Sequence, residues 1–447
     1  ILRLGYQPAS VLYERLGVSQ PTLSRLIAQL GVSILKIGNA RQTCYALRRK
    51  IGEHEQLPLY RISPDGQLEQ WGILHPIMPT AYLVETFAQQ GLAARISVHE
   101  GLPWYLQDMR PQGFLGRAFT HFHASALGLS NDANEWSDDE VLLALAQTGH
   151  DTPGNLLVGA AAAATFQTGT FFSLADRNMP PVNEAQRLQH YPAFARLALA
   201  GEVVGSSAGG EQPKFNAEIL RDAAALHVMV KFSAPQDNAS TRRWRSLLLC
   251  EQLAAQVLSR IVPTSNSQIF SIPDAENNLQ LFLEAARFDR NGARGRYGVV
   301  SLKALDDEFC GVAGDWVKTA FALLQAGKIS LTVMTQIQQV YAFGVLIGNS
   351  DMHSGNLAFW VADITSSAPK FALAPLYDML PMALAPRASG LIPDALPTPL
   401  ISPHVPLAIW RDMAVLACDY WQQVAQNSAV APDVRQLARQ QKILLTR

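Results

Sequence analysis

The 447-residue chain is 48% hydrophobic and 16% charged, with a net charge of −1; this excludes long disordered tails and a protein basic throughout, and leaves room for two or three domains. Its most apolar run, Leu156–Ala164, is nine residues, far short of the roughly twenty a bilayer needs, so no membrane partner is expected. Four scattered cysteines, Cys44, Cys250, Cys310 and Cys418, form no C-x-x-C pair and suggest neither a zinc site nor a disulfide framework, and without a visible secretory signal the expected location is cytoplasmic.

Residues 1–50 are locally basic: Arg3, Arg15, Arg25, Lys36, Arg41, Arg48, Arg49 and Lys50 face only Glu14. Such asymmetry favours a phosphate backbone. Ala9–Leu16 reads as a short amphipathic helix that Gly17 breaks. Ser19 suits an N-cap and Pro21 a first helical turn. A second helix follows over Thr22–Leu30, with Leu23, Leu26, Ile27 and Leu30 expected on its buried face. Helix, Gly-containing turn and helix make a helix-turn-helix. Gln20, Thr22, Ser24 and Arg25 fall where such modules read the major groove, so DNA is an expected partner. Ile34–Ile37 and Thr43–Leu47 read as a hairpin wing. The same pattern also fits a small protein-interaction module. Because the chain opens at Ile1 rather than Met, N-terminal residues are expected to be absent, with Ile1–Gly5 the remnant of a first helix.

Gly52–Pro58 reads as a polar linker. From Tyr60 to about residue 200 strands, turns and helices mix. His121 and His123, at i and i+2, would share one face of a strand; without a carboxylate or Cys at suitable spacing, structural histidines are the better reading. Next comes Ser207-Ala208-Gly209-Gly210-Glu211-Gln212-Pro213-Lys214. Its glycines let backbone N–H groups approach phosphate oxygens, although Gly-Lys-Ser/Thr of a Walker A loop is absent. The alternating run Leu226–Phe232 places Lys231 in a strand, where a kinase carries its phosphate-binding lysine. Trp244–Ser259 is a strong helix, with Glu251 a weak candidate partner for Lys231. Leu279–Glu284 reads as another strand, ending in a hinge-like Arg287-Phe288-Asp289-Arg290.

The centre of the chain is Gly348-Asn349-Ser350-Asp351-Met352-His353-Ser354-Gly355-Asn356. A helix-like segment, Leu331–Ile347, precedes it. Leu357–Val361 and Lys370–Ala374 read as two strands. If they pair, Asn356 and Asp378 lie together at the open end of the hairpin, with Asp351 one short loop away. Asp-x-x-x-x-Asn is the spacing of a protein-kinase catalytic loop, and the later Asp falls where a metal-binding Asp sits. Taken alone, the spacing is common.

With these motifs in order, residues 60–447 resemble the HipA family of toxin serine/threonine kinases. With the winged helix-turn-helix read above (1–52), the expected fold is an α+β multidomain chain, for which the resemblance implies a mixed α/β N-subdomain (53–200) and a two-lobed kinase-like domain (201–447). That last domain would have a small lobe to about residue 300 and a mainly helical lobe beyond. It implies ATP and Mg²⁺ as cofactors and Asp351 as catalytic base. Asn356 and Asp378 would hold Mg²⁺. Lys231, Lys214, Gly209 and Gly210 would lie at the nucleotide phosphates, Glu284 near the adenine, and Ser207 would be the autophosphorylated serine of the loop. A protein substrate, an antitoxin and a homodimer are the partners it implies. Three departures stand out: Gly355 replaces a usual Lys, the acidic residue after Lys231 is displaced by about a helical turn to Glu251, and two residues separate Glu284 from Arg287. A DNA-binding regulator that senses nucleotide without phosphoryl transfer, or a small-molecule kinase, fits the same residues.

Overall fold

The fold is described from a computed structural model, over residues 1–39, 42–88, 94–168, 180–199, 212–222, 224–273, 278–364, 366 and 368–446. The first unit contains β1 (Gln7–Pro8), α1 (Ala9–Leu16), α2 (Gln20–Leu30), β2 (Ile34–Ile37) and β3 (Cys44–Leu47). Gly17, left-handed at φ 64°, ends α1, and the Ser19 hydroxyl accepts from the Thr22 N–H at 3.4 Å to start α2. The hairpin forms as expected, with Ile34 opposite Leu47. The pairing of β1 with β3 was not foreseen; Ile1–Gly5 holds only a 3-10 turn, Leu2–Leu4. Nor does α2 bury its whole apolar face. Leu23 is buried, but Leu26 and Leu30 are exposed and, with Leu16, line an open apolar groove. The sheet beneath is not bare: Ala46 of β3, with Leu35 and Ile37 of β2, packs against Ile77, Ala81 and Leu83.

The expected linker is a tight turn. Ile51 is buried, its backbone pairs with His54, and β4 already begins at Leu57. β4 (Leu57–Ile62), β5 (Leu68–Ile77), β6 (Ala81–Thr86) and β7 (Arg95–His99) form an antiparallel meander. After α3 (Gly113–Leu127) and α4 (Asp138–Thr148), β8 (Leu156–Val158) completes the order β7-β6-β5-β4-β8, and α5 (Ala160–Thr168) follows. Trp71, Tyr82 and Leu74 from the sheet meet Leu142 and Leu145 from α4 in its core. His121 and His123 lie on α3, not on a strand. Two residues apart on a helix they diverge by about 200°, and each ring packs on a neighbouring Phe.

The third unit opens with β9 (Val182–Asn183) and α6 (Arg187–Leu199). β10 (Lys214–Arg221), β11 (Ala224–Phe232), α7 (Ala239–Leu258), β12 (Ser267–Pro273) and β13 (Leu279–Ala286) follow, and the strand order is β12-β13-β11-β10-β9. Strand alternation divides the faces of this sheet. Val230 and Phe232 pack with Tyr191 and Phe194 of α6, whereas Lys231 points towards α7. The two residues separating Glu284 from Arg287 extend the ladder: Ala286 N–H reaches Asn266 O at 2.8 Å and Arg287 N–H reaches His227 O at 2.9 Å.

The last unit contains β14 (Arg290–Asn291), β15 (Gly295–Arg296), β16 (Val299–Ser301), α8 (Leu302–Phe309), α9 (Trp316–Gln325) and α10 (Leu331–Leu346). β17 (Ala358–Val361), β18 (Phe371–Leu373), α11 (Leu407–Gln426) and α12 (Pro432–Leu445) complete it. The expected hairpin is present, with Phe359 opposite Leu373. Trp410 and Trp421 are buried in the helical core. No helix among the described residues is long and apolar enough to cross a membrane.

Candidate active site

Gly348, left-handed at φ 74°, ends α10 and turns the chain into the Asp351 loop. The Asn349 side chain holds both sides of that loop: its Oδ1 accepts from Asp351 N–H at 3.0 Å and its Nδ2 donates to Asp378 O at 3.4 Å. Asn356 Nδ2 donates to Asp351 O at 2.8 Å. Trp316 Nε1 donates to His353 O at 2.9 Å, and Tyr377 OH donates to Gly355 O at 3.2 Å. The loop is therefore fixed from α9, from the segment after β18 and from within. Asp351 is exposed at its tip. Asp378 sits at φ 54°, uncommon for a non-glycine residue and of the kind that collects at functional sites.

Opposite this loop, Lys231 is only 6% exposed. It donates to both carboxylate oxygens of Glu251, at 2.6 and 2.8 Å, and to Asp378 Oδ1. Burial works against all three charges. For Lys231 the two carboxylates more than offset it and raise its pKa. Burial is also the largest influence on Asp378, yet Lys231 and then Lys214 hold its carboxyl below the usual range. Glu251 is pushed up, first by burial, with the like charge of Asp378 adding to it. Lys214 stands opposite Lys231 in the β10–β11 ladder and lines the same cleft, with no carboxylate of the described residues at ion-pair distance.

The cleft has a volume of about 1260 Å³ and brings together Lys214, Lys231, Glu251, Asp351, Asn356 and Asp378. Gln107, Asp108 and Arg110 wall one side of it, and the irregular segment after Asp378 walls another. Asp108 accepts from the Ser301 N–H and hydroxyl, both at 2.6 Å, and so joins the second unit to the start of α8. Nothing in the local sequence around Asp108 announces this.

Glu284 does not join the cleft. It pairs with Val230 in the ladder and therefore faces α6, where it is 2% exposed and bound by Tyr191 OH and by Gln268 Nε2 at 2.5 Å. Glu284, expected near the adenine, thus has its side chain buried on the face of the sheet away from Lys231. Arg287, Asp289 and Arg290 form a buried network with Asp151. Arg287 and Arg290 lie 3.0 and 2.9 Å from the Asp151 carboxylate, and Arg290 reaches Asp289 at 2.6 Å. Ser207, Gly209 and Gly210 lie outside the described residues. Gln20, Ser24 and Arg25 are exposed on α2, whereas the Thr22 hydroxyl is engaged by Ser19 at 2.9 Å.

Two families match this chain: that described as "YjjJ-like toxin, middle domain" over residues 53–167, and that described as "HipA-like C-terminal domain" over residues 206–442. The chain belongs to the HipA-like family, in its YjjJ-like branch. Toxin YjjJ of Escherichia coli (strain K12) is 37% identical to it over 440 residues, covering 98% of this chain and 95% of that protein. Among solved structures, a chain of the Shewanella oneidensis MR-1 toxin–antitoxin system complex of HipA, HipB and its operator DNA aligns at 14% identity and a TM-score of 0.44. That alignment covers 87% of this chain and 95% of the other.

Proposed function

We propose that the chain is an ATP- and Mg²⁺-dependent protein serine/threonine kinase of the HipA-like toxin type, with a DNA-binding N-terminal module. The observation that carries this reading is the single Lys231 ammonium, shared by Glu251 and Asp378, facing Asp351 and Asn356 across one cleft. Kinase chemistry needs a lysine held by a helix carboxylate, a carboxylate for the acceptor hydroxyl and oxygen ligands for the metal.

The donor set suits Mg²⁺, a hard cation that takes one or two protein oxygens and completes its shell with water and phosphate. Asn356 donates through Nδ2 and Asp378 gives Oδ1 to Lys231, which leaves Asn356 Oδ1 and Asp378 Oδ2 without a hydrogen bond among the described residues. When bound there, the metal would shield charge on the transferring phosphoryl group. Asp351 takes the proton of the acceptor Ser or Thr hydroxyl and aims its oxygen. Lys231 and Lys214 meet the nucleotide phosphates, Lys214 with its charge uncompensated by an ion pair among the described residues. This supplies a cation that Gly355 does not.

The test is incubation with γ-labelled ATP and Mg²⁺, wild type beside Asp351→Ala, followed by mass spectrometry of any labelled serine. Label in the wild type alone, with phosphate on Ser207 or an added protein, supports the reading; equal labelling of the Asp351→Ala variant refutes it. Gly355 favours a second reading, a DNA-binding regulator that binds nucleotide without transferring phosphate. A Cβ there would lie 2.9 Å from the His353 ring, so a lysine enters only if His353 swings away. ATP binding with no label in the wild type would decide for it.

A further inference from the structure

The segment from Ala385 to Pro406 has no helix or strand, yet it forms a wall of the cleft. Its beginning is tied to the Asp351 loop: Ala383 N–H donates to Gly348 O at 3.0 Å, and the Leu396 side chain lies over Gly348, where a Cβ would meet it at 2.5 Å. Its middle is held by one side chain from another element. Arg243, near the start of α7, is 3% exposed. Its Nη1 donates to Leu384 O at 2.9 Å and to Pro393 O at 2.7 Å, and its Nη2 donates to Asp433 Oδ2 of α12 at 2.8 Å. Among the described residues 392–401, the bond to Pro393 is the hydrogen bond that ties the segment to the body of the protein.

A guanidinium is suited to this task, because it offers several donors in a rigid fork that a lysine cannot reproduce. The same helix carries Glu251 two turns further on, and Glu251 holds Lys231 and through it Asp378. One rigid helix therefore fixes both the phosphate-binding lysine and the wall that begins just after Asp378. Arg387 and Ala388 are exposed and line the same cleft as the exposed Asp351.

We infer that residues 385–397 form the surface on which the acceptor polypeptide is laid against Asp351, and that Arg243 is the positioning residue that holds this surface in place. The inference rests on the kinase reading and adds to it where the acceptor binds.

The experiment compares Arg243→Leu, Arg243→Lys and Asp433→Asn in the full chain. Three quantities are measured: affinity for a fluorescent ATP analogue, KM and kcat for the best peptide of a degenerate serine-centred library, and the rate of tryptic cleavage after Arg387. Losing both carbonyl bonds in Arg243→Leu is expected to raise acceptor KM and cleavage rate about ten-fold or more. Nucleotide affinity should stay within about two-fold, because α7 still presents Glu251. Arg243→Lys, which is also the fallback if the leucine variant does not fold, should fall between wild type and Arg243→Leu. Asp433→Asn keeps both carbonyl bonds and should move neither readout. An unchanged acceptor KM in a folded Arg243→Leu or Arg243→Lys variant overturns the inference. So does an equal rise in Asp433→Asn, which would mean general loosening. Absence of phosphoryl transfer by the wild type counts against the kinase reading instead, while the cleavage rates still report whether Arg243 holds the wall.

Discussion

Glu251→Gln tests the centre of the cleft. Lys231 has three N–H donors: two go to Glu251 and the third to Asp378. Glutamine keeps one acceptor oxygen but turns an NH₂ group towards a buried ammonium and removes one of its two counter-charges. A hydrogen bond to a charged group contributes about 1.5–3 kcal/mol, and breaking a buried pair outright costs about 3–5 kcal/mol. Asp378 remains as a partner, so the lower range applies and a loss of about 2 kcal/mol is expected. Urea unfolding at pH 7, followed by circular dichroism, reads this as a lower midpoint. The double variant Lys231→Met/Glu251→Leu removes both charges and fills the space with apolar groups. It should return to within about 1 kcal/mol of wild type, since well-packed apolar replacements of buried ion pairs are often neutral. Asp378, whose side chain is 26% exposed, then keeps Lys214 as the cation acting on it. If Glu251→Gln unfolds at the wild-type midpoint, and the double variant costs the sum of its single changes, the two side chains are not coupled and the reasoning fails.

Two other expectations concern pH and DNA. Burial, then Arg290 and Arg287, hold the His227 imidazole down to about 4. Its unfolded value is about 6.5, so below that pH the unfolded chain takes up a proton that the folded one refuses. The contribution of His227 to stability is whole above about pH 6.5 and declines as pH falls towards 4. His227→Gln should therefore lose less melting temperature than wild type between pH 7 and 4.5. The comparison separates His227 from Glu218 and Asp108, whose carboxyls burial raises and whose effect has the opposite sign. Identical slopes for the two proteins would sink the assignment. Arg25→Ala should weaken binding to DNA duplexes selected on the wild type by about ten-fold, the value of one good groove contact. A gel-shift titration with no change would remove α2 as the reading element.

Local chemistry made much of this molecule legible. Gly17, Ser19 and Pro21 placed the turn between α1 and α2, because each residue type is bound to one backbone task. The alternation around Lys231 and the apolar runs either side of Ser366 gave the strands. The Asp351, Asn356 and Asp378 cluster followed from the hairpin, since β pairing returns the chain to its own start. What stayed hidden depended on contacts distant in sequence. The face taken by Glu284 is decided by its pairing with Val230, and Glu251 became the firm partner of Lys231 only when α7 was laid on β11. Arg243 reaches Asp433 across 190 positions, and no local pattern points to that. The Arg287-Phe288-Asp289-Arg290 run was visible as a motif, but its partner Asp151 lies in another unit.

The passage from the first unit to the second has a mechanical consequence. Arg48 pairs with Ile77 as a β-bridge, Met78 N–H reaches Leu47 O at 2.9 Å, and Arg49 donates to Ile77 O at 3.0 Å and to Asp139 Oδ1 at 2.9 Å. Ala46 packs with Ile77, Ala81 and Leu83 in a shared apolar cluster. Units joined by a free linker swing independently; these two share a backbone seam and a core. A twist applied to α2 is passed through β3 into β5 rather than absorbed at a hinge. Shortening the chain to begin at residue 53 would uncover Ile77 and Leu83 and take the Arg49 ion pair from Asp139, leaving it the bond from Tyr82 OH at 2.6 Å. The first fifty residues are thus a rigid arm of the body, and whatever α2 grips, the rest of the molecule is held at a set angle to it.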